Sequence, residues 1–176
     1  NYWLDVVNRI GIAIIGAIGL NILTGYTGQI SMGNAAFLAV GAYSTGWLAN
    51  NAGLPLFITI PLAGLITATV GMIFGIPSLR LRGLYLAMAT LAAHFIIEFV
   101  IVHWESATGG VNGLSIPAAT IFGFEFSNDR SLFYLIYILV IAFALFATNL
   151  FRTKVGKAFV AIRDQDISAE VMGVNI

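Results

Sequence analysis

Long apolar runs separated by short polar segments dominate this chain, and their lengths predict membrane spans. A hydrocarbon core about 30 Å thick takes about 20 helical residues to cross. Runs of that order occupy 5–23, 55–76, 84–102 and 131–150, with a shorter one at 35–49. Between the first run and the shorter one lies Thr24-Gly25-Tyr26-Thr27-Gly28-Gln29-Ile30-Ser31-Met32-Gly33-Asn34, glycine-rich, polar and without a charge. Neutral hydrogen-bonding groups of this kind are tolerated at membrane depth where a broken helix lines a cavity. The predicted fold is therefore all-α, a polytopic transmembrane helical bundle with a broken or re-entrant helix, and 35–49 reads as half of that helix.

Composition narrows the class. Hydrophobic residues make up 59% of the chain and charged ones 9%, with a mean hydropathy of +0.94. A soluble domain carries about 25% charged residues, so membrane lipid is the expected surrounding. The formal net charge is zero, which argues against a nucleic-acid partner, because phosphate binding needs a basic excess. Without cysteine, and with His94 and His103 as the sole histidines, a structural zinc site is not expected. There is no phosphate-cradling loop, nucleophile elbow or paired-His motif. The chain itself is expected to be neither an ATPase nor another enzyme, and to hold no cofactor. Its first residues lack an initiator methionine and a basic leader, and its last stop in mid-pattern. It reads as a piece of a longer permease-like protein.

Charge then sets orientation. Arg80 and Arg82 lie in the short 77–83 connection, and Arg152, Lys154, Lys157 and Arg163 in the tail. The long 103–130 connection carries Glu105, Glu125 and Asp129 against Arg130. The excess of Lys and Arg in cytoplasmic loops places 77–83 and the tail inside and 103–130 outside. Thr108-Gly109-Gly110-Val111-Asn112-Gly113 in that outer connection reads as a tight turn.

Apart from Asp5 and Arg9 at the outer end of the first run, two strongly ionisable residues fall within the spans, His94 and Glu98, four apart and so on one helical face. Ionisable groups at depth are costly and mark functional sites by default. This pair offers a proton relay, a site for a substrate ammonium, or a neutral histidine hydrogen-bonded within the bundle beside a snorkelling carboxylate. Small residues such as Gly71-x-x-x-Gly75, Gly41 and Gly11 predict close helix–helix contacts. In the tail, Phe159 and Ile162 share one face, and Asp164 or Asp166 stands at the N-cap of a second short helix ending near Gly173. Such helices suit a membrane surface or a groove in a soluble partner.

Several blocks together resemble a known family. Gly19-Leu20-Asn21-Ile22-Leu23 running into the polar segment and on to Phe37, then Gly41-Ala42-Tyr43, is similar to the signature of LivM-type permeases, the membrane subunits of branched-chain amino acid ABC importers. So are Pro77-Ser78-Leu79-Arg80-Leu81-Arg82-Gly83-Leu84-Tyr85-Leu86-Ala87, Thr108-Gly109-Gly110 with Asn112-Gly113-Leu114, and the tail from Gly156 to Asn175. The resemblance covers almost the whole chain, as the central part of such a permease. It implies one permease domain over 1–176 with a cytoplasmic coupling segment at 151–176, in a bacterial or archaeal cytoplasmic membrane.

The family's assembly implies the partners: a second homologous permease subunit, two ATP-binding subunits and a periplasmic or extracellular amino-acid-binding protein. The substrate path then falls to Thr24, Gly25, Tyr26, Thr27, Gly28, Gln29, Ser31, Gly33 and Asn34. ATPase coupling falls to Gly156, Phe159, Ile162, Arg163, Asp166, Glu170 and Gly173. Glu170 and Gly173 resemble the Glu and Gly of the wider docking motif, with Val171 in place of its alanine. His94-Phe95 stands where relatives commonly carry Gly-Glu, Glu98 where a basic residue is usual, and Asn34 where His is common. The implied function is import of branched-chain or hydrophobic amino acids. Alternatives are a related permease for urea or short amides and, in a different class, a proton-coupled secondary transporter using His94 and Glu98.

Overall fold

The computed structural model describes residues 2–78, 81, 83–114, 120–121, 124–125, 129–165 and 169. Apolar runs become helices because a backbone in lipid must satisfy its own hydrogen bonds. The helices are α1 (Tyr2–Leu20), α2 (Asn34–Ala52), α3 (Leu56–Ser78), α4 (Leu84–His103), α5 (Glu105–Thr108), α6 (Asp129–Arg152) and α7 (Lys154–Asp164). A π-helical turn, Asn21–Tyr26, continues α1. Two-residue strands β1 (Thr120–Ile121) and β2 (Phe124–Glu125) pair antiparallel, Thr120 opposite Glu125 and Ile121 opposite Phe124. They add no layer to the helical bundle.

Among the described residues, four helical stretches are long and apolar enough to cross a membrane: Tyr2–Tyr26, Phe57–Ser78, Leu84–His103 and Arg130–Arg152. The 19-residue α2 has comparable length, about 28 Å at 1.5 Å per residue, but more small and polar side chains. It continues through Asn50 and Asn51 to Ala52 and stops where Gly53 turns left-handed, at φ +59°. Glycine is the usual residue there because the left-handed conformation costs it nothing. α3 opens on Pro55, whose carbonyl accepts the amides of Ile58 and Thr59.

The chain divides into two compact units, 1–31 with 129–176, and 32–128. The division falls inside the uncharged polar segment. In the first unit α1 packs along α6. Gly11 is buried, and a Cβ there would sit 2.6 Å from Ile136 Cγ2. Close backbone approach of this kind is how helices associate without a hydrophobic drive. The Tyr137 hydroxyl donates to the Val7 carbonyl at 3.2 Å. In the second unit α2 packs mainly on α3 and also on α4. Gly41 faces Thr67 and Gly71 faces Phe37, whereas Gly64 and Gly75 meet nothing within 4 Å. Of these three α3 glycines, Gly71 is the one that meets a neighbour among the described residues.

Candidate functional site

The polar break begins where α1 loosens into the π-helical turn. Such turns are rare and concentrate at functional sites. Thr24 Oγ1 donates to the Leu20 carbonyl at 2.8 Å, and Thr27 Oγ1 donates to the carbonyl of Leu23. The Leu23 carbonyl also accepts the Gln29 amide, at 3.3 Å, closing the turn. Gly28 between them has φ +69°, a conformation that strains any residue with a Cβ. At Gly25 a Cβ would meet Asn21 Oδ1, and the Asn21 side chain would have to turn aside.

The hydrogen bonds define what the break can offer. Both threonine hydroxyls spend their protons on backbone carbonyls, so toward a ligand they act as acceptors. Gln29 and Ser31 side chains make no hydrogen bond to another described residue and retain donors. An uncharged segment with separate donors and acceptors matches both ends of a zwitterion.

Beneath the turn lies a corner between α6 and α7. Thr153 caps α7, its hydroxyl oxygen accepting the Gly156 amide at 3.4 Å while donating to the Leu150 carbonyl at 2.6 Å. Gly156 is buried, and a Cβ there would lie 2.5 Å from the Leu150 carbonyl oxygen and overlap Phe151 Cα. Only glycine permits so sharp a corner. Phe151, just before it, stacks on Tyr26 of the break with centroids 3.3 Å apart and planes at 11°. At the far end of α7, Arg163 Nη1 donates to the Gly25 carbonyl. The Arg163 stem lies so near Gly28 that a Cβ there would be 3.0 Å from Arg163 Cγ.

The second unit begins with the remainder of the break. The Met32 amide donates to Thr90 Oγ1 of α4 at 3.0 Å, and Thr90 Oγ1 donates in turn to the Ala87 carbonyl at 2.9 Å. Gly33 is buried against the Thr90 carbonyl, 2.8 Å from where its Cβ would be. The Gly33 carbonyl accepts the amides of Ala36 and Phe37, which starts α2 at Asn34.

The family model for branched-chain amino acid transport systems, permease component, matches residues 2–176. The chain belongs to that family. The high-affinity branched-chain amino acid transport system permease proteins LivM of Salmonella typhimurium and Escherichia coli are each 35% identical to it over 196 residues, covering 98% of this chain and 46% of theirs. A probable LivM of Methanocaldococcus jannaschii is 26% identical over 212 residues, covering 98% of this chain and 61% of its own. The chain therefore spans about half the length of the bacterial relatives it matches. No solved structure shows significant similarity to it.

Its family and its four described helices long and apolar enough to cross a membrane make the chain part of a multi-pass membrane protein. Of the residues assigned to the path, Thr24 through Ser31 fall in the first unit, and Gly33 and Asn34 in the second. Of the coupling set, Gly156, Phe159, Ile162 and Arg163 lie on α7, with Phe159 and Ile162 half-buried. Asp166, Glu170 and Gly173 lie outside the described residues, as do Arg80 and Arg82. Residues that sequence reasoning missed are Thr90 and Phe151. Each pairs with a partner far away in sequence, and neither stands out from its apolar neighbours.

The second unit also encloses a cavity of about 450 Å³ lined by Val40, Trp47, Val70, Phe74 and Ile97 with Thr108 at its rim. The Thr108 hydroxyl is already engaged with the carbonyls of Ile101 and Trp104 and the Gly110 amide. The lining is mostly apolar and accommodates an alkyl group, with Tyr43 and Ser44 as its other hydroxyl-bearing members. The glycine turn beyond α5 has Gly109 at φ +72° and Gly110 at φ +58°, opening the 3₁₀ segment Gly110–Asn112, which Gly113 closes. On α4, His94 Nε2 stands 3.7 Å from Glu98 Oε2, beyond hydrogen-bond range.

Proposed function

We propose that this chain is the core of a permease subunit in an ATP-driven importer for branched-chain or other hydrophobic amino acids. It would work in a cytoplasmic membrane beside a second homologous permease subunit. Two ATP-binding subunits would drive it, and a periplasmic or extracellular amino-acid-binding protein would deliver the substrate. The chain hydrolyses nothing itself.

The uncharged polar break carries this reading. An amino acid arrives as a zwitterion; a fixed charge among the break's own side chains would hold one end and repel the other, and the neighbouring Arg163 guanidinium is engaged with the Gly25 carbonyl. Neutral groups satisfy both ends weakly enough to release them. Thr24 and Thr27 oxygens suit the ammonium, while Gln29 and Ser31 suit the carboxylate. The amphipathic α7, ending under the break, is the element through which the ATP-binding subunits act.

The test is leucine uptake and leucine-stimulated ATP hydrolysis by the full-length permease with its partner subunits in proteoliposomes. Gln29→Ala with Thr27→Val is expected to lower both. If uptake and stimulated hydrolysis stay at the parental level, the path lies elsewhere. Competition by urea or acetamide in place of leucine would move the substrate to short amides.

A further inference from the structure

We propose that Arg163 is a positioning residue that ties α7 to the polar break, so that displacement of α7 is transmitted to the π-helical turn through one side chain. The inference rests on the reading of α7 as the ATPase-coupling element and assigns that element's inner contact.

Three observations support it. Arg163 Nη1 donates to the Gly25 carbonyl, a contact between residues 138 apart in sequence. Carbonyls in the last turn of a helix lack intrahelical partners and carry the negative end of its dipole. A guanidinium is suited to them because it remains charged and presents several donors in a rigid fork. The Arg163 stem also packs against Gly28, where any side chain larger than hydrogen would meet Cγ. The glycine required by its backbone conformation thus also leaves room for the arginine to pass.

The other end of α7 is fixed as well. Gly156 sets the corner with α6, and Phe151 at that corner stacks on Tyr26. The π-helical turn is therefore gripped at Tyr26 through the end of α6 and at Gly25 through the end of α7. A tilt of α7 about the Gly156 corner displaces Arg163 strongly, because it lies near the end of the helix away from the pivot. The lever acts on the carbonyl next to Tyr26, at the turn that carries Thr24 and Thr27 of the proposed path.

Hydrogen–deuterium exchange on the full-length permease tests this in two arms. In detergent without partners, Arg163→Ala is expected to raise exchange across 24–30, including the Gln29 amide that closes the turn. Arg163→Lys should restore part of the protection, and Lys157→Ala should leave it alone. In the complex with its ATP-binding subunits, ATP with vanadate is expected to change exchange in both α7 and the break of the parent. Coupling between sites is typically worth about 5–150-fold, and Arg163→Ala should cut the response of the break by about tenfold while that of α7 persists. An unchanged break in the first arm overturns the contact. An equal nucleotide response in parent and variant, or loss of the α7 response together with that of the break, overturns the lever. Neither arm uses a substrate, so a permease that fails to carry leucine would still give a reading here.

Discussion

The Met32 amide and the Thr90 hydroxyl meet at 3.0 Å across 58 residues of sequence, and this bond fixes where the polar break ends and α2 begins. Met32 has left helical geometry and has no ladder to join. Thr90 supplies the acceptor while donating to its own helix.

Replacing Thr90 with valine keeps the shape and removes the acceptor. The bond is exposed, and a typical hydrogen bond is worth about 0.5–1.5 kcal/mol net, so Thr90→Val is expected to lower the thermal midpoint of the purified permease modestly and speed exchange of the Met32 amide. Thr90→Ser should recover most of both. A valine variant with parental exchange at Met32 would show that the amide has another partner.

Gly156 gives a sharper prediction, because its would-be Cβ meets backbone atoms of Phe151 and Leu150 rather than a mobile side chain. Overpacking costs about 1–3 kcal/mol where neighbours can move, and here they cannot move without opening the corner. Gly156→Ala should therefore lower stability by at least that much and unstack Tyr26 from Phe151. Thermal unfolding of the purified variant reads the first effect, and tyrosine fluorescence or exchange at 24–30 reads the second.

Much of this was legible in the sequence, for reasons that differ by residue. The apolar runs announced α1, α3, α4 and α6 because a lipid-facing helix must be apolar throughout. The break showed itself by what it lacks, charge. The glycines at 28 and 156 were visible, but their reasons were not. Gly28 needs a positive φ and room for Arg163, while Gly156 needs a backbone approach that only the folded corner creates. The bonds from Arg163 to Gly25 and from Met32 to Thr90 have no local signature. A threonine within an apolar span ordinarily bonds back to its own helix, as Thr45, Thr67 and Thr69 do.

On α7 the half-buried Phe159 and Ile162 face the fold, whereas Val155 and Val160 are 53% and 38% exposed. Burying a valine is worth about 1.5–3 kcal/mol. If α7 docks an ATP-binding subunit, the double variant Val155→Asp/Val160→Asp should weaken co-purification by about tenfold or more, since 1.4 kcal/mol is tenfold in affinity. Its melting temperature should remain near the parent's, because neither side chain is buried. Unaltered co-purification would place the docking surface beyond α7.

His94 decides between ATP-driven import and proton coupling. Its Nε2 is 3.7 Å from a Glu98 carboxylate that is 60% exposed, and its Nδ1 is buried with no partner among the described residues. No hydrogen bond or ion pair continues from this pair to a third described ionisable group. A relay needs such a continuation, whereas a packed histidine does not. Replacing a buried unsatisfied polar group by an apolar one of similar shape is neutral or stabilising. His94→Leu is therefore expected to hold or raise the melting temperature and to leave ATP-dependent leucine uptake in proteoliposomes intact. An imposed proton gradient without ATP should drive no uptake in either protein. Gradient-driven uptake in the parent that His94→Leu abolishes would sink the ATP-driven assignment and make the α4 pair the coupling site.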